Sequence, residues 1–209
     1  MSAFEYLRDG PEIYRRSFAT IRAEAELTRF SPIEARVAER VIHACGMVDI
    51  APDLVFSPSF AAAAQTALES GAAILTDSRM AAAGIIRTRL SAGNVVLCTL
   101  DAPGVAEDAA RVGTTRSAAA LDRWGEKMAG ALVVIGNAPT ALFRLLELLD
   151  EGAPQPAAII GVPVGFVGAE ESKEALRECT HVPYFTVRGR RGGSAIAAAA
   201  VNALSGPNA

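Results

Sequence analysis

The chain is poor in the side chains that most often transfer protons or bind metals. It contains two histidines and three cysteines among 209 residues. Cys45, Cys98 and Cys179 are odd in number, far apart and without the spacing of metal ligands, so we predict reduced thiols and no metal site. His43 and His181 are therefore the only two histidines available for proton transfer near neutral pH.

Long apolar runs and a strong excess of charge are missing as well. No apolar run reaches the roughly 18 residues of a membrane-spanning helix, and the first ten residues are too charged for a signal peptide. The net charge of −3 argues against general affinity for nucleic acid. With 51% hydrophobic residues, the chain has ample material for a core. We predict a cytoplasmic protein with one domain over residues 1–209 and with neither a membrane nor a nucleic acid as partner.

Lysine is almost absent, because Lys127 and Lys173 are the only lysines among 20 basic residues. Arginine grips a carboxylate or phosphate through two hydrogen bonds, which lysine cannot do. A GC-rich genome also raises arginine over lysine and explains most of the ratio. The clustering of the arginines is harder to explain that way, and it suggests a ligand with several anionic groups. The clusters are Arg15 with Arg16, Arg87 with Arg89, and Arg188 with Arg190 and Arg191.

Short apolar runs alternate with helical stretches after two N-terminal helices. Runs that are apolar on both faces predict parallel strands with helices on both sides of the sheet. The predicted fold class is α/β, a three-layer α/β/α arrangement with a mostly parallel sheet of about five strands. Ligands of such folds gather in the loops at the carboxyl ends of the strands. The predicted strands are 72–76, 94–99, 131–135, 157–161 and 182–187, with helices from Asp77 to about Leu90, over 139–150 and over 169–178.

His43 lies at a helix end, on the side away from the apolar stripe of that helix. Ser31 and Glu34 form a capping box at its start, and Gly46 is placed to end it. His43 is two residues beyond Val41 of the stripe, roughly 200° round the helix, so it should not face the same core. The negative helix end favours the protonated form that a proton donor needs. On the residues alone, a catalytic histidine and a solvated surface histidine fit equally well.

The predicted loops contain further candidates. The glycines and arginines from Gly189 to Ser194 precede a helix, and we favour anion binding there over a plain surface turn. Asn137 either caps the helix that starts at Pro139 or donates to a ligand, and capping is the more usual role. Arg116 is either a ligand clamp or a solvated helix residue. His181 precedes the last strand, at the wrong edge of the sheet for a site, so we assign it a structural role.

A nucleotide-binding enzyme is a poor fit to the same loops. The glycines at 161, 165 and 168 are too far apart at the start for the dinucleotide fingerprint, and Pro163 interrupts the turn. The next strand ends in Arg188, with no acidic residue to bind a ribose. Neither a P-loop nor a G-x-S-x-G motif occurs in the chain.

Several strings, which together span most of the chain, resemble the precorrin-8X methylmutase family. The likeness is specific because several of the strings are long and because together they cover nearly the whole chain. The strings are Ser31-Pro32-Ile33-Glu34-Ala35-Arg36, Val41-Ile42-His43-Ala44, Thr115-Arg116-Ser117-Ala118-Ala119, Ile135-Gly136-Asn137-Ala138-Pro139-Thr140, Ile160-Gly161-Val162-Pro163-Val164-Gly165-Phe166-Val167-Gly168-Ala169 and Gly189-Arg190-Arg191-Gly192-Gly193-Ser194.

The resemblance implies an isomerase of cobalamin (vitamin B12) biosynthesis. Such an enzyme moves a methyl group from C-11 to C-12 of precorrin-8X, a tetrapyrrole with many carboxylates, to give hydrogenobyrinate. It needs no cofactor, and its proton donor to the macrocycle matches His43. The family forms homo-oligomers with the active site near the subunit interface. We predict that the substrate is bound by Ser17, Thr76, Arg116, Ser117, Asn137, Arg188, Arg190 and Arg191.

An alternative in the same pathway is a non-catalytic carrier that holds the tetrapyrrole for the next enzyme. Binding of the macrocycle does not separate the two functions, whereas methyl migration does, because it changes the visible absorption spectrum. An isomerase could also hand its product directly to the next enzyme. The residues leave open whether the substrate contains cobalt and whether the oligomer is a dimer or a trimer.

Overall fold

The computed structural model describes residues 4–178 and 182–206, which build a six-stranded sheet between two layers of helices. Within this part of the chain, no helix is both long and apolar enough to cross a bilayer. The strands are β1 Leu54–Phe56, β2 Ile74–Thr76, β3 Val96–Cys98, β4 Leu132–Ile135, β5 Ala158–Gly161 and β6 Tyr184–Val187. The α-helices are α1 Gly10–Glu24, α2 Pro32–Cys45, α3 Phe60–Glu69, α4 Arg79–Gly84, α5 Val105–Val112, α6 Arg116–Leu121, α7 Pro139–Asp150, α8 Ala169–Glu178 and α9 Ser194–Leu204, with 3-10 turns at Val48–Asp53, Arg87–Arg89 and Gly125–Met128.

The sheet has the order β1-β6-β5-β4-β2-β3 and confirms the predicted α/β class. Each predicted apolar run contains one of the parallel strands β2 to β6. The edge strand β1 was not predicted, and it pairs antiparallel to β6 with Leu54 opposite Val187. It is three residues long, too short for the alternation of polar and apolar residues that identifies a strand.

Side chains of the central strands point alternately into two apolar cores. Val134 of β4 faces a core that it shares with α2, α3 and α9, whereas Val133 faces a core with α7 and α8. All four β4 residues are fully buried, so the strand is apolar on both faces as a covered parallel strand must be. The three-layer prediction is confirmed.

Helix α2 packs along the alanine-rich helix α9. Its capping box is present, with the Ser31 backbone N–H donating to Glu34 at 2.8 Å, and Gly46 ends it with φ of +69°. The two helices are antiparallel, because Arg191 just before α9 contacts Asp49 just after α2. His43 therefore lies toward the carboxyl edge of the sheet, and it is exposed as predicted.

The helix predicted from Asp77 to about Leu90 is wrong in its second half, since α4 ends at Gly84. Gly84 lies so close to α9 that a Cβ there would be 2.7 Å from the Cβ of Ala198. Asn202 of α9 then replaces the helical hydrogen bonds, accepting from Ile86 N at 2.8 Å and donating to Gly84 O at 2.9 Å. A side chain about 120 residues away in sequence thus ends the helix, and no local pattern shows this.

Replacing Asn202 by Ala should destabilise the protein, because both hydrogen bonds to the segment after α4 disappear. The expected loss is about 1–3 kcal/mol of unfolding free energy, or a fall of roughly 3–10 °C in the thermal midpoint. Asn137→Ala is the matched control, since the side chain of Asn137 is exposed. Equal midpoints for the two variants would contradict this account.

Candidate functional site

The ring of His43 is held by one turn of helix α1. Ser17 Oγ lies 3.0 Å from His43 Nδ1. Phe18 stacks on the imidazole with ring centroids 4.9 Å apart and planes 25° apart, and Tyr14 meets its edge at 5.7 Å. Because residues 14, 17 and 18 share a face of α1, a single helix turn sets both the position and the tilt of the ring.

The arrangement leaves one ring nitrogen of His43 for a ligand. Ser17 forms a hydrogen bond with Nδ1 of His43. Within residues 4–178 and 182–206, no side chain hydrogen-bonds to Nε2 of the same ring. The serine hydroxyl can donate to a neutral imidazole and accept from a charged one. A carboxylate in its place would favour only the charged ring. Ser17 therefore orients His43 through a hydrogen bond that either protonation state of the ring can make.

Arg40 lies on the same face of α2 as His43, and sequence reasoning did not assign it to the site. Its guanidinium carbon is 5.7 Å from the ring centroids of both Tyr14 and Phe18. Burial lowers the pKa of Arg40, and the nearby charge of Arg89 lowers it further. The i, i+3 spacing of Arg40 and His43 was the available sequence signal.

The Arg188–Ser194 loop is held by buried and half-buried charges rather than by glycine flexibility alone. Arg191 pairs with Asp49 at 2.8 Å and with Asp53. Lys173 is fully buried and its ammonium donates to the carbonyl of Arg191 at 2.7 Å. The partly exposed guanidinium of Arg191 is thus engaged by two carboxylates of the protein, and its predicted role in substrate binding stays a prediction that no contact supports.

Arg188 and Arg190 are the two guanidiniums that this loop exposes to solvent. Arg190 lies over the ring of Phe166 at 5.5 Å from its centroid, and Phe166 itself is 87% exposed. The Gly165 N–H donates to the Arg190 carbonyl at 3.2 Å, so a backbone hydrogen bond joins the loops after β5 and β6. Exposed cations beside an exposed aromatic ring suit a ligand with an apolar face and a carboxylate rim.

The buried carboxylate of Asp77 occupies the start of helix α7. It accepts hydrogen bonds from the amides of Gly136, Asn137 and Ala138 at 2.8–2.9 Å. Burial raises the pKa of Asp77, while the three amides oppose this by favouring its charged form. The prediction that Asn137 caps α7 is wrong, because the cap residue is Ala138 and Asp77 supplies the carboxylate. The anion site at this helix start is already filled.

The remaining predicted residues lie elsewhere along the carboxyl edge. Thr76 is buried and its hydroxyl donates to the carbonyls of Ser78 and Leu97, both at 3.3 Å, so no contact supports its predicted role in binding.

Arg116 begins α6 and pairs at 3.1 Å with the exposed Asp101. Such a solvated pair is weak, so a ligand carboxylate can displace Asp101.

Only some of the predicted site residues come together in one chain. Ser17 joins His43, and a 2.8 Å hydrogen bond between Ser78 and Ser194 joins the loops after β2 and β6. Asn137 is exposed at the start of α7 and Ser117 is half-buried beside Arg116. Over the described ranges, no hydrogen bond or ion pair links His43 with Arg116 or Arg190.

The cysteines and the second histidine add little to the site. Cys45 and Cys98 are free and partly buried, as predicted for reduced thiols, and burial raises the pKa of Cys45. His181 and Cys179 lie outside the described residues. Among the residues that are described, no group of histidine, cysteine, aspartate and glutamate side chains could hold a metal ion.

A family model described as precorrin-8X methylmutase matches residues 12–206. A Sinorhizobium sp protein named precorrin-8X methylmutase is 58% identical over 208 residues, which cover 99% of both chains. The protein of that name from Pseudomonas aeruginosa is 61% identical over 202 residues, covering 96% of this chain and 97% of its own. A cobalt-precorrin-8 methylmutase from Methanothermobacter thermautotrophicus is 40% identical, with 93% and 92% covered.

Solved structures agree with the sequence comparison. The precorrin-8X methylmutase of Thermus thermophilus superposes with a TM-score of 0.85 at 41% identity, covering 93% of this chain and 94% of the other. A precorrin-8X methylmutase related protein superposes with a TM-score of 0.81 at 35% identity, covering 89% and 97%. The fold and nearly the whole length of the chain are therefore shared with these proteins.

The buried Lys173 gives the protein a distinctive dependence of stability on pH. Burial lowers its pKa from 10.5 to about 8, against the opposing charges of Glu170, Asp53 and Glu174. Between these two values the unfolded chain binds more protons than the folded chain, so stability rises with pH. The unfolding free energy of the wild type should therefore increase relative to Lys173→Met from about pH 8 to pH 10.

Chemical denaturation at several pH values measures this difference, and subtraction removes the groups that both proteins share. Lys127→Met is the control, because Lys127 is exposed and its removal should give a constant difference over the same range. A constant difference for Lys173→Met, or one that falls with pH, would show that Lys173 is an ordinary paired lysine.

Proposed function

The chain belongs to the precorrin-8X methylmutase family of isomerases in cobalamin biosynthesis, and we propose that it moves the C-11 methyl group of precorrin-8X to C-12 to give hydrogenobyrinate. His43 is the proton donor to the macrocycle. The observation that carries this assignment is the exposed imidazole whose Nδ1 is held by Ser17 and whose Nε2 is open to a ligand.

The reaction requires the protein to control the protonation state of the macrocycle and to position it. A methyl shift within one ring system breaks the bond to C-11 and forms the bond to C-12 without a nucleophile. The macrocycle has to be held in the protonation and tautomeric state from which the methyl group migrates. Substrate and product are isomers, so the proton that His43 gives is matched by one that returns, and the enzyme ends as it began.

The arginines supply the binding energy in this proposal. Arg188 and Arg190 expose their guanidiniums, and Arg116 exchanges Asp101 for a substrate carboxylate. Ser117 follows Arg116 in α6, and Asn137 lies in the loop after β4 at the carboxyl edge. The buried Thr76 and the paired Arg191 act indirectly, by holding the strand end and the loop that present the exposed arginines.

We propose that a second copy of the chain completes the site. In one chain, the cluster around His43 and the pair of Arg116 with Asp101 have no direct contact in the described part. The N-terminal region exposes three large apolar side chains among its charged residues, with Phe4, Tyr6 and Ile13 exposed by 89%, 67% and 46%. Apolar surface of this kind is typical of a subunit interface. An open oligomer interface would also allow direct hand-over of the product.

Replacing His43 by Ala or Asn should abolish most of the turnover and leave the tetrapyrrole bound. Loss of a positioned general acid costs about 10²- to 10⁴-fold in rate. The measurement is the change in visible absorption on incubation with precorrin-8X, beside titration of the same variants with hydrogenobyrinate. Normal turnover by His43→Ala would refute the assignment, and binding without spectral change in the wild type would favour the carrier.

Replacing Ser17 should separate orientation of the imidazole from proton transfer. Ser17→Ala removes one hydrogen bond to His43 and should lower kcat about two- to tenfold. Ser17→Thr keeps the hydroxyl and should recover most of that loss. Thermal unfolding distinguishes this from simple destabilisation, because kcat should fall in Ser17→Ala and recover in Ser17→Thr while the thermal midpoints of both variants stay near that of the wild type.

A further inference from the structure

Lys173 is a charged residue that lies wholly inside the protein without an ion pair. It belongs to helix α8, and its side chain is fully buried. Lysine is almost never fully buried unless it is paired. Among residues 4–178 and 182–206, no carboxylate lies within ion-pair distance of this ammonium, and its hydrogen bond is to the carbonyl oxygen of Arg191 at 2.7 Å. The role of Lys173 therefore has to be sought at that carbonyl.

The buried ammonium costs folding free energy. Burial lowers the pKa of Lys173 to about 8, although the charges of Glu170, Asp53 and Glu174 oppose this. The protonated side chain is thus less favourable in the folded protein than in the unfolded chain. A methionine would fill similar space without a charge to desolvate. Groups that a protein retains at a cost to stability are commonly functional.

The backbone around this carbonyl is fixed on both sides. The carbonyl of Arg190 accepts a hydrogen bond from the Gly165 N–H at 3.2 Å, and the Gly193 N–H donates to the carbonyl of Val162 at 2.8 Å. Both bonds join the loop after β6 to the loop after β5. The bond from Lys173 lies between them in sequence and joins the same loop to α8. The loop after β6 is therefore attached to two different elements.

Gly192 brings the loop after β6 into direct contact with its neighbour. A Cβ at this position would overlap the carbonyl oxygens of Val162 and Pro163. The backbone consequently has no room to move toward the loop after β5. The ammonium of Lys173 holds the adjacent carbonyl, so close packing and one charged hydrogen bond together determine where this backbone lies.

The two exposed arginines of the loop depend on this backbone for their position. Arg188 and Arg190 lie within three residues of the carbonyl that Lys173 binds, and both are exposed to solvent. The guanidinium of Arg190 lies over the ring of Phe166, 5.5 Å from its centroid. A displacement of about 1 Å in groups that position a substrate can cost much of their effect. A shift of the Arg191 carbonyl would therefore be felt at both guanidiniums.

We infer that Lys173 is a positioning residue for the substrate, because its ammonium holds the Arg191 carbonyl and thereby sets where Arg188 and Arg190 meet the tetrapyrrole. The inference rests on the proposed function, since it needs a polycarboxylate ligand at this loop. Lys173 is fully buried and does not itself touch the ligand. Its charge matters because a hydrogen bond from a charged donor is about twice as strong as one from a neutral donor.

The test compares Lys173→Met with Leu176→Ala, a control in the same helix. Leu176 is fully buried in the core between α8 and α7, so its truncation destabilises the protein and leaves the bond to Arg191 in place. The dissociation constant of hydrogenobyrinate, followed by absorption, should rise about three- to thirtyfold in Lys173→Met and stay at the wild-type value in Leu176→Ala. Thermal unfolding should rank the variants in the opposite order, with the larger fall in midpoint for Leu176→Ala.

Steady-state kinetics with precorrin-8X separate binding from chemistry. A displaced loop weakens binding of substrate and transition state alike, so KM should rise in Lys173→Met by about the same factor as the dissociation constant. The value of kcat should stay near that of the wild type, because no hydrogen bond or ion pair joins His43 to this loop in the described part of the chain.

The pH dependence of binding is a readout that a purely structural lysine would not change. The charged groups around the ammonium are Glu170 and Glu174 of α8, Asp53 of the preceding 3-10 turn, and Arg191. Carboxylates and guanidiniums keep their charge from about pH 7 to pH 9.5. Over this range the ammonium of Lys173 loses its proton. The wild-type dissociation constant should therefore rise about two- to fivefold relative to that of Lys173→Met, which shares every other titrating group.

The outcomes separate the inference from the proposed function. Equal affinities of Lys173→Met and the wild type, equal losses in Lys173→Met and Leu176→Ala, or a ratio of wild-type to Lys173→Met affinity that is constant with pH would each overturn the inference. Wild-type turnover would leave the proposed function standing in all three cases. A wild-type protein that neither binds nor isomerises the tetrapyrrole would overturn the proposed function itself.

Discussion

The close packing of helix α2 against helix α9 is the constraint on which the rest of the structure depends. The alanines of α9 let α2 approach, and the buried face of α2 with Val37 and Val41 joins the core above the sheet. The opposite face then has to lie outward, where α1 covers part of it and holds the ring of His43. The same contact puts the start of α2 at the amino edge of the sheet and its end at the carboxyl edge. This helix pair therefore places His43, the candidate proton donor, at the carboxyl edge of the sheet, where the loop after β6 exposes Arg188 and Arg190.

The charged groups around α2 and α9 are of two kinds, those with partners within the protein and those without a carboxylate partner. The buried Asp77 accepts hydrogen bonds from three amides, and the buried Lys173 donates to the loop after β6. Arg191 of that loop is engaged by two carboxylates, so all three groups stabilise the loops through partners within the protein. Arg40, Arg89, Arg188 and Arg190 have no carboxylate partner among the described residues. A polycarboxylate substrate is the complement of such a surface, because it neutralises cations that the protein leaves unpaired.

Much of the fold was predictable because the patterns that produce it are local. The parallel strands are apolar runs bounded by glycine and polar residues, and the capping box of Ser31 with Glu34 marks the start of α2. Three errors have a common cause, which is that distant residues decide the local structure. Asn202 ends α4 early, Asp77 takes the capping role assigned to Asn137, and β1 exists as a strand only by pairing with β6.

By itself, the sequence determined the fold class, the outward face of His43, the richness in arginine and the resemblance to a family. These properties depend on the types and the periodicity of residues that lie close together in the sequence. The tertiary structure alone decided which arginines are available, because availability depends on partners distant in sequence. Arg191 is occupied by Asp49 and Asp53, about 140 residues before it, whereas Arg188 and Arg190 of the same loop are exposed and have no carboxylate partner among the described residues. Ion pairs between residues distant in sequence therefore distinguish the arginines that stabilise the fold from those that can bind a ligand. No local sequence pattern shows these ion pairs.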